Sequence, residues 1–317
     1  MRELIVANYA LDNRAELDRL WAAHGYWFFR DVLDHDALAA MRREYLREIE
    51  PLGVTKGNPA DPEWNGRPLD DFPVTFHELH RRSVWQNFVA SPRIKAFFER
   101  AFGDELFWLP MDYYRALPPA TIDNPPRNLD VHQDGAYSPG MTFATCWMPL
   151  NRIDVTTGGL YLAAGQHRRG FLRPGDNAAT STFADGPLDA DCWARADYRP
   201  GDVVIFSMST PHYGDANRSR RFRLSLDIRA VRRSTPVPLI GEVVRISEDG
   251  VTIASEEEGE VELVIDDETQ IQALADATKS YPVFVTRFQA VAALPPGSRV
   301  MATRLNGRAG VFRTVMH

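Results

Sequence analysis

Apolar positions recur at helical spacing through the first hundred residues and at strand spacing through most of the rest. Asn13 caps a first helix that ends near Gly25. Tyr26-Trp-Phe-Phe-Arg-Asp-Val32 reads as a short strand, and Asp34 caps a second helix with Leu38, Met41, Tyr45 and Leu46 on one face. Residues 51–75 are rich in Pro, Gly, Asn and Asp and read as one long loop, of the sort that forms lids and binding loops. Ser91-Pro92 opens a further helix, which Gly103 closes.

From residue 105 the pattern changes. Leu106–Leu117, Met141–Leu150, Gly159–Leu162, Asp202–Met208 and Phe222–Ile228 are apolar or alternating, with turn residues between them. Strands following a helical preface predict a mainly β fold, a barrel or sandwich with flanking helices. Ser234-Thr-Pro-Val-Pro238 marks a boundary, giving one domain over 1–236 and a small second one over 239–317. In the latter, Gly241–Ser247, Val251–Ser255, Val261–Ile265, Val283–Val291, Arg299–Leu305 and Val311–Val315 read as six strands of a small β-barrel. A helical stretch is expected near Thr269–Ala277.

Composition narrows the class. The chain has 317 residues, 44% hydrophobic and 25% charged, which is ordinary for a globular protein. The net charge of −7 and the lack of a long basic run argue against nucleic acid as a partner. Twelve of the acids and only 7 of the bases fall in 239–317. No apolar run approaches the ~18 residues of a membrane span. The N-terminus carries no signal-peptide pattern, and the two cysteines, Cys146 and Cys192, form no secreted framework, so a reducing cytoplasm is expected.

The candidate chemistry sits on the predicted strands. In His132-Gln133-Asp134 the outer residues would share one strand face. His212, in Thr210-Pro-His-Tyr-Gly214 at a strand-to-turn junction, supplies a third ligand from a facing strand. Two imidazoles and a carboxylate that leave positions open on one side of the ion form the facial triad suited to non-haem Fe(II) oxygenases, whereas structural zinc prefers a closed tetrahedral set. Arg223 and Ser225 share a face of the next strand. A guanidinium grips a carboxylate by two parallel hydrogen bonds and a hydroxyl adds a third, so the pair could hold the far carboxylate of a 2-oxo diacid.

Several stretches together resemble the phytanoyl-CoA dioxygenase family of Fe(II)/2-oxoglutarate oxygenases. They are His24–Leu33, His132-Gln-Asp134, Trp147-Met-Pro-Leu150, Gly158–His167, Pro200–Phe206, and His212 with Arg223-Leu-Ser225, within about residues 10–230. The resemblance implies a double-stranded β-helix core of the jelly-roll or cupin-like kind, iron at His132, Asp134 and His212, and 2-oxoglutarate at Arg223. It adds Gln133, Trp147, Tyr113 and Ser225 as further 2-oxoglutarate contacts. Gln166 departs from the serine the family often has before His167, and 239–317 lies beyond the usual core. That addition reads as an interaction or dimerisation module, giving a homodimer, or as a wall over the active site.

The resemblance also implies a course: 2-oxoglutarate and O₂ are consumed, succinate and CO₂ are released, and a small-molecule substrate is oxidised. A carboxylate at Asp134, where related halogenases have a small residue, favours hydroxylation; desaturation, ring closure and epoxidation stay open. The loop 51–75, the first core strand and residues 124–140 are the expected substrate lining. Lys56, Asp112, Arg115, Arg127 and Tyr137 are the polar candidates there, suiting a polar or anionic metabolite such as a natural-product intermediate. Two other readings are a non-catalytic jelly-roll binding protein with a vestigial metal site and a cupin-type hydrolase or isomerase.

Overall fold

The computed structural model describes residues 1–73, 76–121, 131–173, 183–189, 191–274 and 282–315. The expected helices form at Arg14–His24, His35–Ile49 and Pro92–Phe102. The Asn13 side chain accepts from Glu16 N, and that of Asp34 from Ala37 N, so each cap satisfies an amide that has no partner within its helix. Two short helices that the sequence pattern did not suggest, His77–Arg81 and Val84–Ala90, precede the third.

A five-stranded sheet runs in the order Tyr26–Phe29, Val203–Ser207, Ala144–Pro149, Arg223–Arg232, Leu106–Leu117. A four-stranded sheet runs Arg2–Glu3, Trp193–Arg195, Leu160–Ala163, His212–Gly214. Strand alternation divides the larger sheet between two cores. Cys146, Met148, Val203, Ile205, Leu224, Leu226 and Ile228 pack under the helices. Trp147, Val204 and Phe206 pack inward against Leu160, Leu162 and Tyr198 of the opposing layer. Tyr26–Phe29, Ala144–Pro149 and Val203–Ser207 are therefore buried on both faces, which explains why these strands read as nearly unbroken apolar runs. The architecture is the expected jelly roll with flanking helices.

Residues 239–315 build a seven-stranded sheet around a core of their own that includes Leu239, Val251, Ile253, Leu263, Val300 and Phe312. A bridge between Val264 and Arg308 closes five of its strands into a small barrel. Two local expectations fail here. Gln270–Ala273 is a strand rather than a helix, and the remainder of the predicted helix, through Ala277, lies mostly outside the described residues. The strand begun at Val283 stops at Val285, because Thr286 and Gln289 form a capping box that starts the helix Arg287–Ala293. No helix among the described residues is long and apolar enough to cross a membrane.

Candidate metal centre

The backbone fixes two of the three candidate ligands. His132 and His212 form an isolated antiparallel bridge, with His132 N donating to His212 O at 3.0 Å and His212 N to His132 O at 2.9 Å. His132 thereby extends the smaller sheet beyond the His212–Gly214 strand. Asp134 does not continue a strand, as the His-x-Asp spacing had suggested. It opens the 3-10 turn Asp134–Tyr137, which is tied down by Gly135 N donating to Met208 O at 2.9 Å. The turn nonetheless brings the three side chains together, with one donor atom from each within 4.8 Å of the others.

The Asp134 carboxylate is divided between two tasks. Its Oδ1 lies 3.6 Å from His132 Nε2 and 3.7 Å from His212 Nε2. Its Oδ2 accepts from Thr145 Oγ1 at 2.6 Å and from Arg229 Nη2 at 2.9 Å. Burial alone would raise this carboxyl, but the Arg229 charge and the His132 hydrogen bond outweigh it and hold the group well below the usual carboxylate range. His212 Nδ1 lies 3.0 Å from Thr210 O. A carbonyl only accepts, so Nδ1 carries the proton and Nε2 keeps its lone pair facing Asp134. Burial, with His132 adding to it, pushes His212 down to about 4, leaving a neutral ring at neutral pH.

The strand Arg223–Arg232 supplies a second set of groups. Arg223, Ser225, Asp227 and Arg229 alternate with Leu224, Leu226 and Ile228, so four buried polar residues follow one another on the cavity side. Arg223 Nη1 donates to Gly158 O and Asp215 O, both at 2.9 Å, while its Nε and the Ser225 Oγ are buried without a protein partner. Burial, with Arg115 adding to it, brings Arg223 down to about 10, still charged at neutral pH. Asp227 Oδ2 accepts from Arg115 Nε at 2.7 Å. Three guanidinium groups (Arg115, Arg223, Arg229) and two carboxylates (Asp134, Asp227) thus face one cavity, with Trp147, Leu160 and Phe206 as its apolar wall.

Other predicted residues lie elsewhere. Gln133 is buried on the opposite side from the cavity: its Nε2 donates to Gly170 O and Ser209 O, at 2.8 and 2.6 Å, and its Oε1 accepts from Leu172 N at 2.8 Å. The Tyr113 ring is covered by the guanidinium groups of Arg115 and Arg229, each 4.8 Å from its centroid. Asp112 is buried with its Oδ2 3.2 Å from His80 Nδ1, and burial raises it to about 7. Lys56 is exposed on a two-stranded hairpin with Glu63–Trp64, which packs on the chain leading to Arg223 rather than at the cavity. No described residue of 51–73 lines the cavity, contrary to expectation. Arg127 lies outside the described residues, as does the Tyr137 side chain.

Sequence reasoning passed over Arg229 and Thr145. The predicted strand stopped at Ile228; extending its alternation one step from Asp227 reaches Arg229. Thr145 is the one hydroxyl in the apolar run leading to Trp147, on the same strand face as that residue.

The donor set fits a ferrous ion: two imidazole nitrogens and one ionised carboxylate oxygen converge, and that carboxylate is oriented by partners on its other oxygen. The unpartnered Arg223 Nε fits an anionic group in the same cavity, and the unpartnered Ser225 Oγ lies on the same strand face.

The sequence matches the family profile described as phytanoyl-CoA dioxygenase (PhyH) over residues 21–225. It is 29% identical over 241 residues to 1-deoxypentalenic acid 11-beta-hydroxylase of Streptomyces arenae, spanning 69% of this chain and 81% of that protein. It is 27% identical over the same length to the Streptomyces exfoliatus protein of that name. Among solved structures, EctD from S. alaskensis in its apoform superposes with a TM-score of 0.51 at 15% identity, covering 74% of this chain and 82% of that one. AviO1 from Streptomyces viridochromogenes superposes with a TM-score of 0.50 at 16% identity, covering 71% and 98%. These two likenesses establish the fold.

Proposed function

Since the chain belongs to the phytanoyl-CoA dioxygenase family, and is thus a 2-oxoglutarate-dependent non-haem iron dioxygenase, we propose that it hydroxylates a small-molecule acid of a natural-product pathway. The single observation that carries the site assignment is the convergence of His132, His212 and a divided Asp134 carboxylate beside a buried, partly unpartnered Arg223. His132 and His212 would hold the iron through Nε2 and Asp134 through Oδ1. Bound there with 2-oxoglutarate and O₂, the iron supplies the redox chemistry that converts R–H to R–OH while 2-oxoglutarate becomes succinate and CO₂.

The protein's own residues bind, orient and exclude water. Arg223 and Ser225 take the outer carboxylate of 2-oxoglutarate, with Arg223 anchored through Nη1 by two carbonyls. Trp147 and Phe206 keep water from the reacting centre. Tyr113 acts indirectly, by stacking under Arg115 and Arg229. Charge balance supports the same occupants: the cavity side chains sum to +1 (three Arg, two Asp), and Fe(II) with the 2-oxoglutarate dianion leaves that sum unchanged. The residual charge of +1 favours an anionic substrate. The named activity of the Streptomyces relatives supports a natural-product acid.

Both cysteines are buried and free, in keeping with a cytoplasmic setting. Exposed Val283, Phe284 and Phe288 support homodimerisation, which the mass in solution would test. The function is tested by screening natural-product carboxylic acids for stimulated succinate release. The expected outcome is one acid that couples succinate formation to its own hydroxylation; succinate release that no acid stimulates, from iron-loaded protein, would contradict the substrate class.

A further inference from the structure

The family match ends at residue 225, yet the C-terminal sheet is seated directly on the segment that carries Asp134. Asp134 opens the turn 134–137, and the chain continues through Pro139 and Gly140 into the core residues Met141 and Phe143. Thr303, almost fully buried, donates its hydroxyl to Pro139 O at 2.7 Å and accepts from Val311 N at 2.8 Å. Gln270 Nε2 donates to Ala136 O at 3.4 Å.

The two backbones approach so closely that side chains are excluded. A Cβ on Gly310 would lie 2.5 Å from Pro139 O and 2.8 Å from Thr303 Oγ1, and one on Gly140 would lie 3.2 Å from Arg304 O. Met141, Phe143, Leu109 and Met111 share one apolar cluster with Met301 and Val315 across this seam.

We propose that the 239–315 sheet is a positioning element for the metal ligand Asp134, acting through the contact of Thr303 and Gly310 with the 134–140 segment. The proposal rests on the reading of Asp134 as a ligand. It makes the sheet a support behind the site rather than an appendage. Its residues touch neither iron nor 2-oxoglutarate; they set where the Asp134 backbone sits, while His132 and His212 are set independently by their own bridge.

The test is anaerobic Co(II) titration of the full-length chain, read from the visible ligand-field band, beside thermal unfolding. Gly310→Ala and Thr303→Val should each weaken Co(II) binding roughly tenfold, the scale seen for groups that orient a ligand. Thr303→Ser, which keeps the hydroxyl, should bind as wild type. Val251→Ala, in the core of the same sheet but away from this seam, should lower the unfolding temperature without moving Co(II) affinity. Should Gly310→Ala fail to fold, the Thr303→Val and Thr303→Ser pair decides. Wild-type affinity in Thr303→Val and Gly310→Ala, or an equal loss in Val251→Ala, would overturn the proposal. A wild-type chain that binds no Co(II) would overturn the ligand assignment itself, and the positioning role with it.

Discussion

Arg229 is buried and holds one oxygen of the nearly enclosed Asp134 carboxylate at 2.9 Å, so the charge that would face the metal is balanced before any metal arrives. This pairing explains how a carboxylate can stay ionised inside a dry jelly roll. Without the arginine, burial would push it toward the neutral acid.

Asp134→Ala should abolish iron-dependent turnover and Co(II) binding. It should also destabilise the fold by roughly 3–5 kcal/mol, because it strands Arg229 as a buried unpaired charge. Adding Arg229→Met should recover much of that stability in a denaturant melt without restoring metal binding. Retained hydroxylation in Asp134→Ala would remove this residue from the ligand set.

Arg223→Ala should raise the 2-oxoglutarate requirement by roughly 10- to 100-fold, the worth of hydrogen bonds to a charged group, while metal affinity stays near wild type. Arg223→Lys should not restore it, since an ammonium cannot both satisfy Gly158 O and Asp215 O and present a planar fork to a carboxylate. The check is the apparent KM for 2-oxoglutarate, read from succinate, beside a metal titration.

Gln133→Ala should act on stability and not on the co-substrate. It strands two carbonyls and one amide that the side chain now satisfies. Of the three only the Leu172 amide is buried, so the fold should lose roughly 1–3 kcal/mol. An unchanged KM for 2-oxoglutarate in the folded variant would separate this clamp from a contact role; a raised KM would return Gln133 to the co-substrate site.

Asp112 gives a pH prediction. Burial raises its carboxyl to about 7, above the unfolded value near 4, so the folded chain binds the proton more tightly. The stability this contributes is complete below about pH 4 and is lost as pH rises through about 7. Burial holds the neighbouring His80 near 4, so it stays neutral across most of that window. Asp112→Asn should therefore gain on wild type by up to ~1.4 kcal/mol per pH unit between about pH 4 and 7, and stay level above about pH 8. A difference in urea midpoint that does not change with pH would refute it.

Much of this was legible in the sequence because the strands are periodic and the caps are local. Asn13, Asp34 and the alternation through Arg223, Ser225 and Asp227 needed no tertiary information. The rest depended on groups that meet only in the fold. Asp134 lies on a turn whose direction is set by Met208 and by Pro139 against Thr303, so the strand reading gave the right neighbours by the wrong local route. Gln133 looks like a site residue because it sits between two of them, yet its partners are backbone groups near Gly170 and Ser209. The loop 51–75 looked like a lid by composition, but in its described part Asp61 accepts from Asn151 and Arg221 and fastens it beside the strand that carries Arg223. At Val283–Val291 apolar content outweighed the Thr286–Gln289 capping signal that ends the strand.

In the proposed centre His132, Asp134 and His212 would hold Fe(II) beside a 2-oxoglutarate anchored on Arg223. This assignment is tested most directly by adding 2-oxoglutarate anaerobically to the Fe(II)-loaded chain and recording the visible spectrum. The expected result is a weak charge-transfer band that saturates with 2-oxoglutarate, is absent in Asp134→Ala, and needs much more 2-oxoglutarate in Arg223→Ala. An iron-loaded wild-type chain that shows no band at saturating 2-oxoglutarate would contradict it.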